Sequence, residues 1–358
     1  ISADDALPVD FGQPILGEIT SGAGGANYSY EFSENNRFNV SYLGNLSDKI
    51  LKETSKTAQF TDNGMYELLS DGEDNVRTNN HMFNVGWRNK SSKRQHFMLN
   101  GIASFQQQQT TSKSETEGFE NGNYTHSLNN TALSNSNRFN SRAEGSWMIK
   151  GDGNWKLLKV NGNVQNRRSL GNNEWDNLIR YFSTPMPLSE SRIADVQNSL
   201  TQGELGVTAM RRISAKFYAE PSISAGLTAE GLNRSQGYNQ QPYVAIDSLS
   251  PDVQRNYHWM QPALFMRFIS KKSKINVGLA YQAGIQQNKT NDSANSILRV
   301  ETVLPRLSWE YEFKTGHRVG FGYMTSTSVP TVNQLQPIIS TTNPLSVYYG
   351  NPGLREAY

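Results

Sequence analysis

Apolar and polar residues alternate with period two along most of this chain, the pattern of strands with one face in hydrocarbon and one in water. Residues 216–230 carry it most clearly. Phe217, Ala219, Pro221, Ile223, Ala225, Leu227 and Ala229 share one face; Lys216, Tyr218, Glu220, Ser222, Ser224, Gly226, Thr228 and Glu230 share the other. Residues 275–285 repeat it, with Ile275, Val277, Leu279, Tyr281, Ala283 and Ile285 against Asn276, Gly278, Ala280, Gln282 and Gly284. The alternation predicts strands near 18–32, 37–49, 80–89, 95–108, 137–149, 155–168, 203–211, 214–231, 256–269, 274–289, 296–313 and 317–327. Two of them fit poorly: 256–269 alternates badly, and 296–313 changes face near Pro305, where a bulge is expected.

The connections alternate as well. Short polar turns fall at SENN (33–36), KSSKR (90–94), GDGN (151–154), SKKSK (270–274) and KTG (314–316), with Arg212–Ile213 the tightest. Between successive pairs lie segments expected to be long loops, 50–79, 109–136, 169–202 and 232–255; only 290–295 is short where a long one is due. Short turn and long loop in strict alternation is the parity of an antiparallel up-and-down outer-membrane β-barrel, with turns on the periplasmic side and loops outside. Aromatic residues gather beside the short turns, among them Phe38, Trp87, Phe97, Trp147, Phe268 and Trp309, as an interfacial girdle requires. Most of the predicted strands exceed the ~9–11 residues that a tilted membrane strand needs. The expected localisation is the bacterial outer membrane.

Composition narrows the alternatives. The 358 residues include 34 Lys and Arg against 32 Asp and Glu, a net charge of +2, so nothing points to nucleic acid as a partner. Mean hydropathy is −0.63, yet 16 Tyr, 15 Phe and 6 Trp are more aromatic residues than a disordered chain carries. Cysteine is absent, which removes disulfides, Cys-type zinc sites and thiol nucleophiles. No run approaches ~18 apolar residues, so no transmembrane helix is present. The first residues lack the basic and apolar regions of a signal peptide.

No motif carries catalysis, and the expectation is that the protein is not an enzyme and needs no cofactor. His81, His96, His126, His258 and His317 show no metal-ligand spacing. SDGEDN (70–75) resembles half a calcium loop but lacks the closing Glu, and GAGG (22–25) lacks the Gly-Lys-Ser/Thr ending of a phosphate loop. Glu310 and Glu312 lie two apart and so share the wet face of one strand. Ligand binding is the remaining chemistry. Exposed aromatic and arginine side chains favour it, and the expected loops supply Trp175, Arg180, Tyr181, Tyr238 and Tyr243.

The last stretch, SVPTVNQLQPIISTTNPLSVYYGNPGLREAY (328–358), resembles a segment of TonB-dependent outer-membrane receptors, in the form found in Bacteroidetes-type bacteria. In that family a strand runs into Pro-x-x-x-Gln-Leu, then a loop, then Gly-Asn-Pro-x-Leu-x-x-Glu. Here the matching residues are Pro330, Gln334, Leu335, Gly350, Asn351, Pro352, Leu354 and Glu356, with Arg355 where the family has Lys-Pro, so Glu356 falls one residue early. Asn-Pro fixes a turn, which gives Gly350, Asn351, Pro352, Leu354 and Glu356 a structural rather than a ligand-binding role. The resemblance implies a 22-stranded barrel with a plug domain inside it. It implies uptake powered by an inner-membrane TonB-type complex, and leaves room for a surface lipoprotein partner. At about 30 residues per strand, residues 1–358 then form a partial barrel, with the plug and the C-terminal strands elsewhere. A passive porin-like channel shares the parity and the girdle; a soluble β-sandwich adhesin requires strands of ~5–6 residues.

Overall fold

The computed structural model describes residues 17–335, apart from 62–63, 91, 184–185 and 291–292, together with 351, 354, 355 and 357. Its strands are β1 (Gly17–Ser33), β2 (Asn36–Thr61), β3 (Gly64–Asn89), β4 (Gln95–Glu120), β5 (Asn123–Lys150), β6 (Trp155–Tyr181) and β7 (Leu188–Arg212). There follow β8 (Phe217–Tyr238), the two-residue β9 (Val244–Ala245), β10 (Asp252–Ile269), β11 (Ser273–Thr290), β12 (Ser293–Lys314) and β13 (His317–Met324), and a single helical turn, α1 (Val332–Leu335). They form one antiparallel sheet in which each long strand pairs with its neighbours in sequence, β9 lying off the path beside β8. The twelve predicted strands are thus all present, in up-and-down order.

The register assigns the faces. One ladder runs Ala219–Met266–Val277–Leu307–Tyr323, and the next runs Pro221–Leu264–Leu279–Pro305. Ile223, Leu227, Val277, Leu279 and Tyr281 are all exposed on this apolar face. Ser222, Ser224, Asn276 and Gln282 lie on the other, with Glu220 and Arg267 paired across it at 2.6 Å. In a membrane barrel the apolar face meets lipid and the wet face lines the lumen. On β4 the apolar run from Phe97 to Phe105 matches the ~9–11 residues a membrane crossing needs. Beside the short turns, Trp87 packs edge-on to Phe97 at 5.0 Å and donates to Asn36 Oδ1 at 3.0 Å.

Pro305 corrects an expectation. No register shift occurs there; Val303, Pro305, Leu307 and Trp309 stay on the lipid face throughout. Leu298, Val300 and Leu304 face the lumen, and Val300 and Leu304 are buried. The alternation blurs because both faces of β12 are apolar at this height. β10 has the same cause. Tyr257, Trp259 and Phe265 face inward, over glycines of the flanking strands. A Cβ at Gly226 or Gly284 would meet the Trp259 or Tyr257 ring at 2.7 Å.

The expected long loops 50–79, 109–136, 169–202 and 232–255 are the larger correction. β2 to β7 run 26, 26, 26, 28, 27 and 25 residues, so the first three loops are mostly continuations of strands. Above the membrane both faces are wet and apolar alternation has nothing to follow. Cross-strand polar pairs hold the ladder instead: Thr54–Asp71 at 2.7 Å, Lys56–Glu67 at 2.6 Å, Thr116–Ser70 at 3.0 Å and Ser134–Asn173 at 2.6 Å. Such pairs contribute ~0.2–1 kcal/mol each. Asn121 and Gly122, with φ of 50° and 80°, close β4 to β5 in the two-residue turn that an Asn-Gly pair favours. Of 232–255, only 239–251 leaves the long strands. The Arg212–Ile213 turn is also wider than expected, spanning 213–216, with Ile213 N–H bonded to Phe217 O at 2.9 Å.

An arginine at Leu279, in the middle of the lipid face, is expected to destabilise the barrel by ~2–4 kcal/mol, and one at Ser224 on the lumen face by far less. Urea titration of folding into lipid vesicles measures both, and equal costs would refute the face assignment.

Candidate functional site

Above the membrane, the lumen face of β5 to β8 brings together residues far apart in sequence. One rung of the ladder is Ala132–Trp175–Arg192–Tyr238, and the next toward the membrane is Ser134–Asn173–Ala194–Gln236. On the other side lies Asn130–Asn177–Glu190, where Asn130 donates to Asn177 at 2.6 Å. Trp175, Ala194 and Gln236 are buried. Arg192 pairs with Glu190 and lies 5.6 Å over the Tyr238 ring, a cation–π contact.

Arg234, one rung further down, bonds Gln236 Oε1 and has no carboxylate partner among the described residues. Burial lowers its pKa from the usual arginine value, but a guanidinium stays protonated at neutral pH. The Nε1 of Trp175 and the Nε of Arg234 are buried and have no acceptor among the described residues. A buried donor left unsatisfied costs ~1–3 kcal/mol. This wall therefore offers a cation and aromatic faces to a molecule in the lumen.

Below it, the chain beyond β13 folds back onto the inner wall. Arg255, itself buried, binds Glu230 at 2.7 Å and donates to Pro330 O at 3.0 Å. Gln282 donates to Tyr257 OH at 2.9 Å and accepts from Thr327 at 2.8 Å. Gln334 explains its own place in the motif. Its Oε1 accepts from the N–H of Thr331 at 3.0 Å, the reciprocal half of a capping box, and its backbone O accepts from Asn351 N–H at 2.8 Å. Leu335 is buried, and a bridge between Ser328 and Ala357 ties the two ends of the motif. Pro330, Gln334, Leu335 and Asn351 thus assemble on one wall. Leu354 is exposed, and Gly350, Pro352 and Glu356 lie outside the described residues.

The candidate ligand residues divide by strand parity. Trp175 and Tyr181 belong to β6 rather than to a loop, and both face inward with Tyr238, the last residue of β8. Tyr181 joins His126 and Tyr66 near the crown tips, with ring centroids 6.0 and 6.3 Å apart; burial, then Tyr181 and Glu120, raise the Tyr66 pKa. Arg180 points to the opposite face of β6 from Tyr181. Tyr243 packs on the outer side of β8, its hydroxyl 2.9 Å from Ser235 Oγ, so neither joins the cluster. Arg192, Arg234 and Gln236 complete the site and were not among the candidates. Carrying the strand alternation past residues 168, 203 and 231 would have found them.

Among known proteins, the outer membrane protein beta-barrel family model matches residues 213–358, from β8 through the Gly-Asn-Pro motif. No curated protein matches the sequence. Among solved structures, the chain is similar to the outer membrane protease OmpT from Escherichia coli, at 11% identity over 82% of this chain and 97% of that one, with a TM-score of 0.23. With the up-and-down topology, the family match makes this an outer-membrane β-barrel protein, located in the bacterial outer membrane.

Glu230→Ala strands a buried guanidinium and is expected to destabilise the protein by ~3–5 kcal/mol. Urea midpoints in vesicles test this, together with faster proteolysis near Pro330; an unchanged midpoint would show that the pair does not hold the inner segment.

Proposed function

We propose that the protein is the barrel wall of a TonB-dependent receptor that imports a ligand held on the inner face above the membrane. The observation that carries this reading is the inward-facing cluster of Trp175, Arg192, Arg234 and Tyr238, far apart in sequence and brought onto one wall by the register, with Arg192 5.6 Å over the Tyr238 ring. Exposed aromatic rings and guanidinium groups are the side chains that binding surfaces favour. The motif folded against Arg255 supports the receptor family that the segment resembles.

On this reading a plug domain fills the lumen, an inner-membrane TonB-type complex supplies the energy, and the tall crown offers a seat to a surface lipoprotein. Further strands, of this chain or another, pair with the edges of β1 and β13 that are free among the described residues, because unpaired backbone in hydrocarbon costs several kcal/mol per group. The site binds and passes its ligand unchanged. Its rungs bring together no nucleophile, base and oxyanion donors in hydrogen-bonding geometry.

Planar-bilayer recording of the intact protein separates the import reading from a passive channel. A plugged importer is expected to show no steady conductance in concentrated KCl. Stable open steps would sink the proposal and favour a porin-like channel instead.

A further inference from the structure

The charge of the chain is strongly segregated along the barrel axis. The six short turns, each with two flanking residues on either side, are residues 32–37, 88–96, 149–156, 211–218, 268–274 and 313–318. They hold fifteen of the 34 Lys and Arg but two of the 32 Asp and Glu. The near-neutral total thus hides a strongly basic ring at the end where barrels place their periplasmic turns. Aromatic residues such as Trp87, Trp147 and Trp309 flank the same turns, and in outer-membrane barrels such girdles sit at headgroup level on the periplasmic side.

At one place the ring meets a cavity. On the lipid face, Phe217, Met266, Phe268, Ile275 and Val277, with part of Arg267, whose guanidinium is paired with Glu220, line a largely apolar groove of about 340 Å³, reaching the last rungs before the turns. Lys216, which the structure places in the 213–216 turn and not on the wet face of β8 where the alternation put it, immediately precedes Phe217, and Lys271 and Lys272 follow Phe268 in the next turn. The two turns are tied together, since Ile269 N–H bonds Lys216 O at 2.9 Å. All three lysines are exposed and none has a carboxylate partner among the described residues. Lys274 differs, lying 3.7 Å from Glu310, which Arg318 also binds at 3.1 Å.

We infer that this groove is a binding site for one anionic phospholipid, its acyl chain along Phe217, Phe268 and Val277 and its phosphate among Lys216, Lys271 and Lys272. An apolar slot alone takes any lipid chain, and lysines alone take any anion. Their juxtaposition at the headgroup level selects a molecule with both parts. The inference is independent of what the lumen carries, so it stands or falls apart from the import reading.

The test uses the intact protein, delipidated in an uncharged detergent and exposed to vesicles of equal phosphatidylglycerol and phosphatidylcholine, with bound lipid read by native mass spectrometry. Retention is expected to favour phosphatidylglycerol by about tenfold or more, given three basic side chains near the surface. The triple variant Lys216→Gln, Lys271→Gln, Lys272→Gln should bring the ratio near one, while Lys90→Gln with Lys93→Gln, in another turn, leaves it unchanged. Val277→Trp, which fills the groove without touching charge, should lower retention of both lipids. Equal retention of the two lipids by the unmodified protein would overturn the site. So would an equal loss in the Lys90/Lys93 control, which reports a diffuse ring, or competition by glycerol phosphate as effective as the whole lipid, which reports an adventitious ion only.

Discussion

Hydrocarbon offers the backbone no hydrogen-bond partners, and the rest of this structure depends on that constraint. Each N–H and C=O within the membrane must be met by a neighbouring strand, so the chain runs back and forth as one antiparallel sheet with every long strand beside its sequence neighbours. Once the ladder is set, parity does the remaining work. It sends Leu279 to lipid and Gln282 to the lumen, and it carries the two faces upward, beyond the bilayer, where no lipid enforces them.

The lumen wall is therefore divided by height rather than by sequence. Low on the β8–β12 side it is lined by aromatic rings over glycines and covered by the segment after β13, with Arg255 and Glu230 as the charged anchor. Higher up, on β6 to β8, it presents Trp175, Arg192, Arg234 and Tyr238 to the interior. The guanidinium and aromatic side chains thus stand above the anchored motif on the same inner wall.

What the sequence made legible follows from where solvent differs across a strand. Within the bilayer the two faces see different media, and alternation such as Ile223–Ala225–Leu227 reads directly as structure. Above it both faces meet water, and TTSKSETEGFENGNYTHSLNN (110–130) reads as loop although nearly all of it is strand. The Asn121–Gly122 pair was the available signal, since two positive-φ residues between two runs of Thr, Ser and Asn mark a hairpin tip. The site was half legible for the same reason. Trp175 and Tyr238 were visible as aromatic residues in polar surroundings; their inward direction, and their company with Arg192, needed the register. In β10 and β12 the opposite confusion arose, because packing on the lumen side put apolar residues on both faces.

The crown strands have a consequence for how such a chain can change length. From Phe105 to Glu120, β4 climbs roughly 40 Å past its apolar band, at ~3.4 Å per residue and a barrel tilt near 40°. The register shifts recorded between paired strands all fall close to a turn or a hairpin tip, as between Gly118 and Phe119 or Trp155 and Leu157. Insertion of a single residue in mid-strand turns every side chain beyond it to the opposite face. Growth of the crown is thus tolerated by twos, one residue in each arm of a hairpin for every rung moved and a matching pair for every face kept. Odd changes are confined to the tips, where a bulge absorbs them. In a lineage of such barrels, length variation should therefore be even along the arms and unrestricted at the turns.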